Sequence, residues 1–196
     1  MVPYCERHVG EYHEWMKSPE LQRLTGSEPL TYEEELQMQK SWRDSEDKCT
    51  FIILHKETFD EDQDEIRAMI GDTNIFLNEK VGEAEIMIAK SKFRGQKLGE
   101  KKNFIFFLYK SENLCLGWES MILMMLYGAT NLDIQSYEAK IKMDNQASIK
   151  MFQKLKFEEV SKSDVFQEVT LAVDINDKFT DFLKQNVNFV VQEYQH

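Results

Sequence analysis

Apolar residues recur along this chain in two rhythms, one near 3.6 residues and one near two, and the places where the rhythm changes divide it into elements. Val9, Tyr12 and Met16 share one face of a predicted helix over Glu6 to Met16. A second is predicted from Thr31 to Trp42, opened by the Thr-x-x-Glu spacing of a capping box at Thr31 and Glu34. Ser27-Glu28-Pro29-Leu30 between them is a predicted loop. The continuous run Thr50-Phe51-Ile52-Ile53-Leu54 suits a buried strand, and the acidic stretch Asp60 to Glu65 a solvated turn. Ala68 to Leu77 and Gly82 to Ala89 predict a hairpin across Asn78-Glu79-Lys80, with Gly71 marking a bulge. Trp118, Met121, Ile122, Met125, Leu126 and Ala129 have the recurrence of a buried helix, followed by a strand from Tyr137 to Ile141. Asp144 or Asn145 caps a further helix that turns Met151, Phe152 and Leu155 inward. Strands over Phe157 to Val160 and Val165 to Val173 precede a terminal helix carrying Ile175, Phe179, Phe182 and Leu183, with Asn186 onward either docked or frayed. Helices and strands interleaved around a mixed sheet make an α/β layered architecture.

With 196 residues, 42% of them hydrophobic, the chain is long enough for one well-buried domain and short for two. Lys and Arg number 24 against 35 Asp and Glu, a formal charge of −11, and no basic run follows a phosphate backbone. That balance argues against a nucleic-acid partner and suits either solubility or the attraction of cationic amines. Cys5, Cys49 and Cys115 are an odd set without metal-type spacing, and His8, His13, His55 and His196 form no ligand cluster, so no metal is expected. Without a signal peptide or an apolar run of roughly 20 residues, the expected setting is cytoplasmic, with no membrane association.

Chemistry enters at Arg94-Gly95-Gln96-Lys97-Leu98-Gly99, a basic, glycine-containing loop directly after the strand-like Ala84-Glu85-Ile86-Met87-Ile88-Ala89. Strand, glycine loop and helix in that order aim backbone N–H groups at an anion such as a diphosphate, although the spacing alone also fits a surface turn. The second segment runs Asn145-Gln146-Ala147-Ser148-Ile149-Lys150-Met151-Phe152-Gln153-Lys154-Leu155-Lys156-Phe157. Together the two resemble the signature motifs of the GNAT superfamily of acetyl-coenzyme A dependent N-acetyltransferases. His13 to Met16, Glu28 to Thr31, Ile70 to Phe76 and Val165 to Leu171 extend the likeness, within that superfamily, to the N-acetyltransferase 9-like branch.

The resemblance implies a mixed, mostly antiparallel GNAT sheet over residues 1–173, its first strand largely missing, with 174–196 as a helical tail. It implies acetyl-coenzyme A lying along Ile86, Met87 and Ile88, its diphosphate over Arg94, Gly95, Gln96, Lys97, Leu98 and Gly99, and Asn145, Ser148 and Phe152 beside it. The expected acceptor is a protein or peptide amine; whether it is an α-amine, a lysine or a small amine is left open, as is oligomeric state. Glu85 or Glu83 is the candidate proton acceptor, unless both are ordinary solvent-facing strand residues, and Asn145 is equally explained as a helix cap. Phe152 stands where many relatives have Tyr, Lys97 where the first motif has Gly, and Lys156 where the second has Gly.

Two departures shape the expectation. Glu100 to Gly117 intervene between loop and helix, and read as an insertion or a retained intron; joining Gly99 to Trp118 restores the uninterrupted motif. The abrupt start, Met1-Val2-Pro3-Tyr4, removes most of an edge strand and suggests a mis-assigned start or a fragment. These departures also support an alternative, a catalytically impaired binding or scaffold protein on the same fold.

Overall fold

The computed structural model describes residues 1–94, 116–187, 189 and 194. Among these residues seven strands form one sheet, β1 (Val2–Pro3), β2 (Lys48–Leu54), β3 (Met69–Asn78), β4 (Val81–Ile88), β5 (Ser136–Lys142), β6 (Glu158–Ser163) and β7 (Glu168–Asp174), in the spatial order β1-β2-β3-β4-β5-β7-β6. Every neighbouring pair is antiparallel except β4 and β5, which run parallel. Among the described residues eight α-helices surround the sheet: α1 (Val9–Met16), α2 (Pro19–Thr25), α3 (Tyr32–Asp44), α4 (Lys56–Asp62), α5 (Glu65–Ala68), α6 (Leu116–Asn131), α7 (Gln146–Lys154) and α8 (Asp177–Gln185). The α/β layering agrees with the resemblance, and β1 is only two residues long, the expected departure from it.

Period-two alternation assigns each strand residue to a face. On one face Ile75, Ala84, Tyr137, Ala139, Ile141 and Leu171 pack against the buried α6 and against α8. On the other, Ile52, Leu54, Met69 and Met87 pack under Tyr12, Trp15 and Met16 of α1, with Leu36 and Trp42 of α3 beside them. These last helices cover only the β2–β4 half; past it Glu138, Lys140 and Lys142 of β5 face outward. The sheet therefore has one face covered from β2 to β7, with edge strand β6 exposed along its length, and one covered by half, and the step between the two halves runs along β4.

β3 is buried on both faces from Met69 to Ile75, so its polar residues Asp72, Thr73 and Asn74 are interior. The pairing of Ile53 with Gly71 and of Leu54 with Met69 leaves Ile70 bulged, next to the glycine expected to mark it. A Cβ on Gly71 would sit 2.0 Å from the Met87 carbonyl oxygen, so β3 and β4 approach there as only glycine permits.

Three local expectations are corrected. The acidic Asp60 to Glu65 stretch is largely helical: α4 ends at Gln63 in the left-handed region (φ 60), Asp64 caps α5, and Arg67 pairs with Glu61 and Asp62 to offset their charge. α2 carries no apolar stripe and was not expected; it is defined by the Ser18 cap, Pro19 in the first turn and Gly26 in left-handed conformation. The last strand begins at Glu168, since Val165 and Phe166 sit exposed in the turn between β6 and β7.

Candidate functional site

β4 and β5 pair only from Val81↔Ser136 to Glu83↔Glu138. Beyond Glu83 no further register joins them among the described residues, and the strands splay. Ala89 N–H donates to the Ile70 carbonyl, so alternation commits the odd-numbered residues of β4 to β3 and turns the backbone groups of Ile86 and Ile88 towards the splay. Met87 differs from its neighbours: its main chain faces β3 and its buried side chain joins the core under α1. A Cβ on Gly117 would lie 3.6 Å from Met151 Sδ and 3.7 Å from Ile86 Cδ1 and Ile88 Cγ1. The first turn of α6 and Met151 of α7 thus close the groove on the covered face. Leu116 and Gly117, expected within the intervening segment, belong to that turn.

Glu83 and Glu85 lie on the half-open face at the groove's rim. Glu83 pairs with Lys140 of β5 at 2.5 Å. Glu85, opposite Asn74, presents much of its surface to solvent, while the strands around its stem withdraw water from one side. That desolvation raises its carboxyl above the ordinary range; Lys48 opposes the rise, Glu83 adds to it and Lys140 opposes it.

Behind Glu85 lies a polar cluster that sequence reasoning missed. Asp72 Oδ2 accepts from Asn74 Nδ2 at 2.8 Å, and Asn74 Oδ1 accepts from the Thr50 hydroxyl. Burial, then the Glu85 charge, push the Asp72 carboxyl up to about 7, against the Asn74 hydrogen bond and Lys48. Lys48 reaches in from β2 with Nζ 3.4 Å from the Trp42 ring centroid, and desolvation lowers its pKa. The Tyr4 hydroxyl is buried nearby, and His13 of α1 meets the buried Glu35 of α3 at 2.8 Å. Polar residues inside an apolar strand pattern, such as Asp72 and Asn74 between Ile70 and Ile75, were the available signal.

The remaining candidates are dispersed. Arg94 Nε donates to the Ile88 carbonyl at 2.7 Å, its Nη2 to the Ala89 carbonyl at 3.1 Å, and its Nη1 pairs with Glu20 of α2 at 3.1 Å. Arg23, also on α2, pairs with Asp144 after β5. This helix therefore bridges the ends of both splayed strands. Asn145 Oδ1 accepts from the Ser148 N–H at 3.2 Å and caps α7, with Ser148 half-buried in the first turn. Phe152 lies in the core, its ring 5.0 Å from Phe157. Gly95, Gln96, Lys97, Leu98 and Gly99, and residues 100–115, lie outside the described residues.

The end of α7 accounts for the glycine that Lys156 replaces. Phe157 N–H donates to the Phe152 carbonyl and Lys156 N–H to that of Gln153, both at 3.1 Å, which is the Schellman pattern. Lys156 holds φ 72, a conformation natural to glycine, and the Phe152–Phe157 contact is the hydrophobic clasp of the motif.

A half-covered mixed sheet whose parallel pair β4–β5 splays, with carboxylates at the rim of the opening, is the frame of an acyl-group transferase. The family model for the acetyltransferase (GNAT) domain matches residues 1–158, and the chain belongs to that family. A Drosophila melanogaster protein named alpha/beta-tubulin-N-acetyltransferase 9 is 42% identical over 203 aligned positions, covering all of this chain and 92% of the relative. Among solved structures, the ribosomal L7/L12 alpha-N-protein acetyltransferase RimL with coenzyme A has a TM-score of 0.65 at 16% identity, covering 89% of this chain and 92% of that one. Spermidine N-acetyltransferase from Vibrio cholerae, with coenzyme A and spermine, also has a TM-score of 0.65, at 12% identity over 88% of this chain and 92% of its own. Those two show the fold. Among the described residues no helix is long and apolar enough to cross a membrane.

Proposed function

We propose that this chain transfers an acetyl group from acetyl-coenzyme A to a protein amine, using the groove between β4 and β5. The splay beyond Glu83, flanked by Glu85, carries the reading: it leaves the Ile86 backbone groups and the Ile88 N–H facing an opening where pantetheine amides can pair, the Ile88 carbonyl being held by Arg94. The Arg94 to Gly99 loop and the α6 N-terminus would receive the diphosphate, and Asn145 and Ser148 would lie alongside. The coenzyme supplies the thioester. The chain's part is to orient an amine at the rim and take its proton, because an ammonium has no lone pair for attack. An α-amine, with pKa about 7.7 to 8.0, needs less help than a lysine near 10.4, so an α-amine is the favoured acceptor. The relatives' names make tubulin the first protein to assay.

Thiol release from acetyl-coenzyme A in the presence of α-amine peptides tests this reading. Glu85→Gln is expected to lower kcat/KM by about 100-fold, whereas undiminished turnover would remove Glu85 from the chemistry. One observation favours the scaffold alternative: Arg94 spends its guanidinium on the Ile88 and Ala89 carbonyls and on Glu20. Coenzyme binding without thiol release on any amine would support that alternative.

A further inference from the structure

Lys140 places an ammonium where the proposed reaction needs an amine. The last β4–β5 pair is Glu83↔Glu138, and two residues beyond it on the two strands stand Glu85 and Lys140. Alternation puts Glu83, Glu85, Glu138 and Lys140 on one face, the half-open one, so Lys140 stands across the narrow end of the splay from Glu85. Its side chain reaches back over the fork: Nζ donates to Glu83 Oε2 at 2.5 Å, and 49% of the side chain stays open to solvent. An ammonium in direct contact with a rim carboxylate is the arrangement an acceptor amine has to reach.

The neighbouring lysines of this face are engaged elsewhere. Lys142, about 7 Å further along β5, pairs with Glu168 of β7 at 3.0 Å and donates to the Phe166 carbonyl at 3.1 Å. Lys48 of β2 lies over the Trp42 ring. The charged groups around Lys140 are Glu83 and Glu85 from β4, Glu138 and Lys142 on its own strand, and Glu168 from β7. The Glu83 hydrogen bond, opposed by desolvation and helped by the charges of Glu83, Glu138 and Glu168, holds the Lys140 pKa above the ordinary lysine range. Lys140 is therefore a slower nucleophile than a free α-amine, and yields to one that enters the groove.

We infer that Lys140 is an acetylation site of the chain itself, taking the acetyl group from acetyl-coenzyme A when no substrate amine has displaced it from Glu83 at the fork of the splay. This rests on the proposed function. Lys140 Nζ passes one proton to the Glu83 carboxylate, and the electron pair so freed forms the N–C bond to the thioester carbon. As the C–S bond breaks, its electrons leave with sulfur, which takes the second proton lost from nitrogen; the proton on Glu83 passes to water. The products are an amide on Nζ, a thiol and one proton. The amide carries no charge, so the modified chain leaves Glu83 without its cation.

The test is peptide-mapping mass spectrometry of the full chain after incubation with acetyl-coenzyme A alone, from about pH 7 to about pH 9. Acetyl-Lys140 is expected to form about tenfold faster for each pH unit, as the neutral amine becomes more abundant. Its rate should be independent of chain concentration, about tenfold or more ahead of acetyl-Lys142, and reduced by an added α-amine peptide. Acetic anhydride, which needs no coenzyme groove, is expected to reverse the preference and label the exposed Lys150 before Lys140, because the Glu83 contact keeps Lys140 charged. Equal acetylation of Lys140 and Lys142, a rate that rises with chain concentration, or Lys140 labelled first by the anhydride as well overturns the site. Thiol release on peptides with Lys140 unmodified overturns this inference and leaves the proposed function standing. Neither thiol release on any amine nor acetyl-Lys140 overturns both.

Discussion

Replacing Lys156 separately with Gly and Ala isolates a backbone cost that the chain carries inside its second motif. A non-glycine residue in left-handed conformation costs about 1 to 2 kcal/mol, and Lys156 holds φ 72. Glycine removes that cost, returning about 0.5 to 1 kcal/mol to the greater freedom of the unfolded chain. Either substitution also loses the Lys156 ammonium, 5.3 Å from the Phe182 ring centroid, an exposed contact of about 0.5 kcal/mol. Lys156→Ala keeps the strain and loses the contact, so it should destabilise by roughly 0.5 kcal/mol. Lys156→Gly should be more stable than Lys156→Ala by about 1 kcal/mol, or roughly 2 to 4 °C in Tm for a domain of this size. Denaturant and thermal unfolding of the two variants side by side measures the difference. Equal stabilities would refute the claim that the motif's glycine serves the Schellman turn.

Gly71→Ala forces a methyl group to within 2.0 Å of the Met87 carbonyl oxygen; a loss of about 3 kcal/mol or more is expected in chemical denaturation, and a near-neutral result would mean that β3 and β4 separate easily. Phe152→Tyr buries a hydroxyl in the core beside Phe157, so stability should fall by about 1 to 3 kcal/mol without a gain in kcat; a faster enzyme of unchanged stability would place that ring at the groove. Unfolded Asp72 loses its proton near 3.8 and folded Asp72 near 7. Between those values the folded state binds more protons, so this residue makes stability fall as pH rises from about 4 to 7. Asp72→Asn should flatten that decline, as measured by unfolding at a series of pH values, and an unaltered slope would contradict the raised carboxyl.

Local signals carried much of the fold. The capping box at Thr31, the β3–β4 hairpin, Asn145 as a cap and the apolar surface of α6 involve residues a few positions apart, and such neighbours impose their geometry wherever the chain goes. The absence of α2 from the reading was avoidable, since Ser18, Pro19 and Gly26 mark its ends, though it has no apolar stripe. The glycine pattern of the second motif was legible, but its reason was not: only the hydrogen bonds of Lys156 and Phe157 show that position 156 needs a left-handed turn.

By itself the sequence determined the family, the order of elements and the candidacy of Glu83, Glu85, Asn145 and Ser148. The tertiary structure alone decided where β4 parts from β5, that Met87 turns away from the opening while Ile86 and Ile88 face it, and that Arg94 binds the strand end. It also gathered Tyr4, Tyr12, Glu35, Lys48, Asp72 and Glu85 from six separate stretches of chain around one point. The division has a physical cause. Periodicity and capping act over one or two turns of chain, whereas burial and the coupling of charges depend on distance in space, which is set only once the sheet is assembled and half of one face is covered.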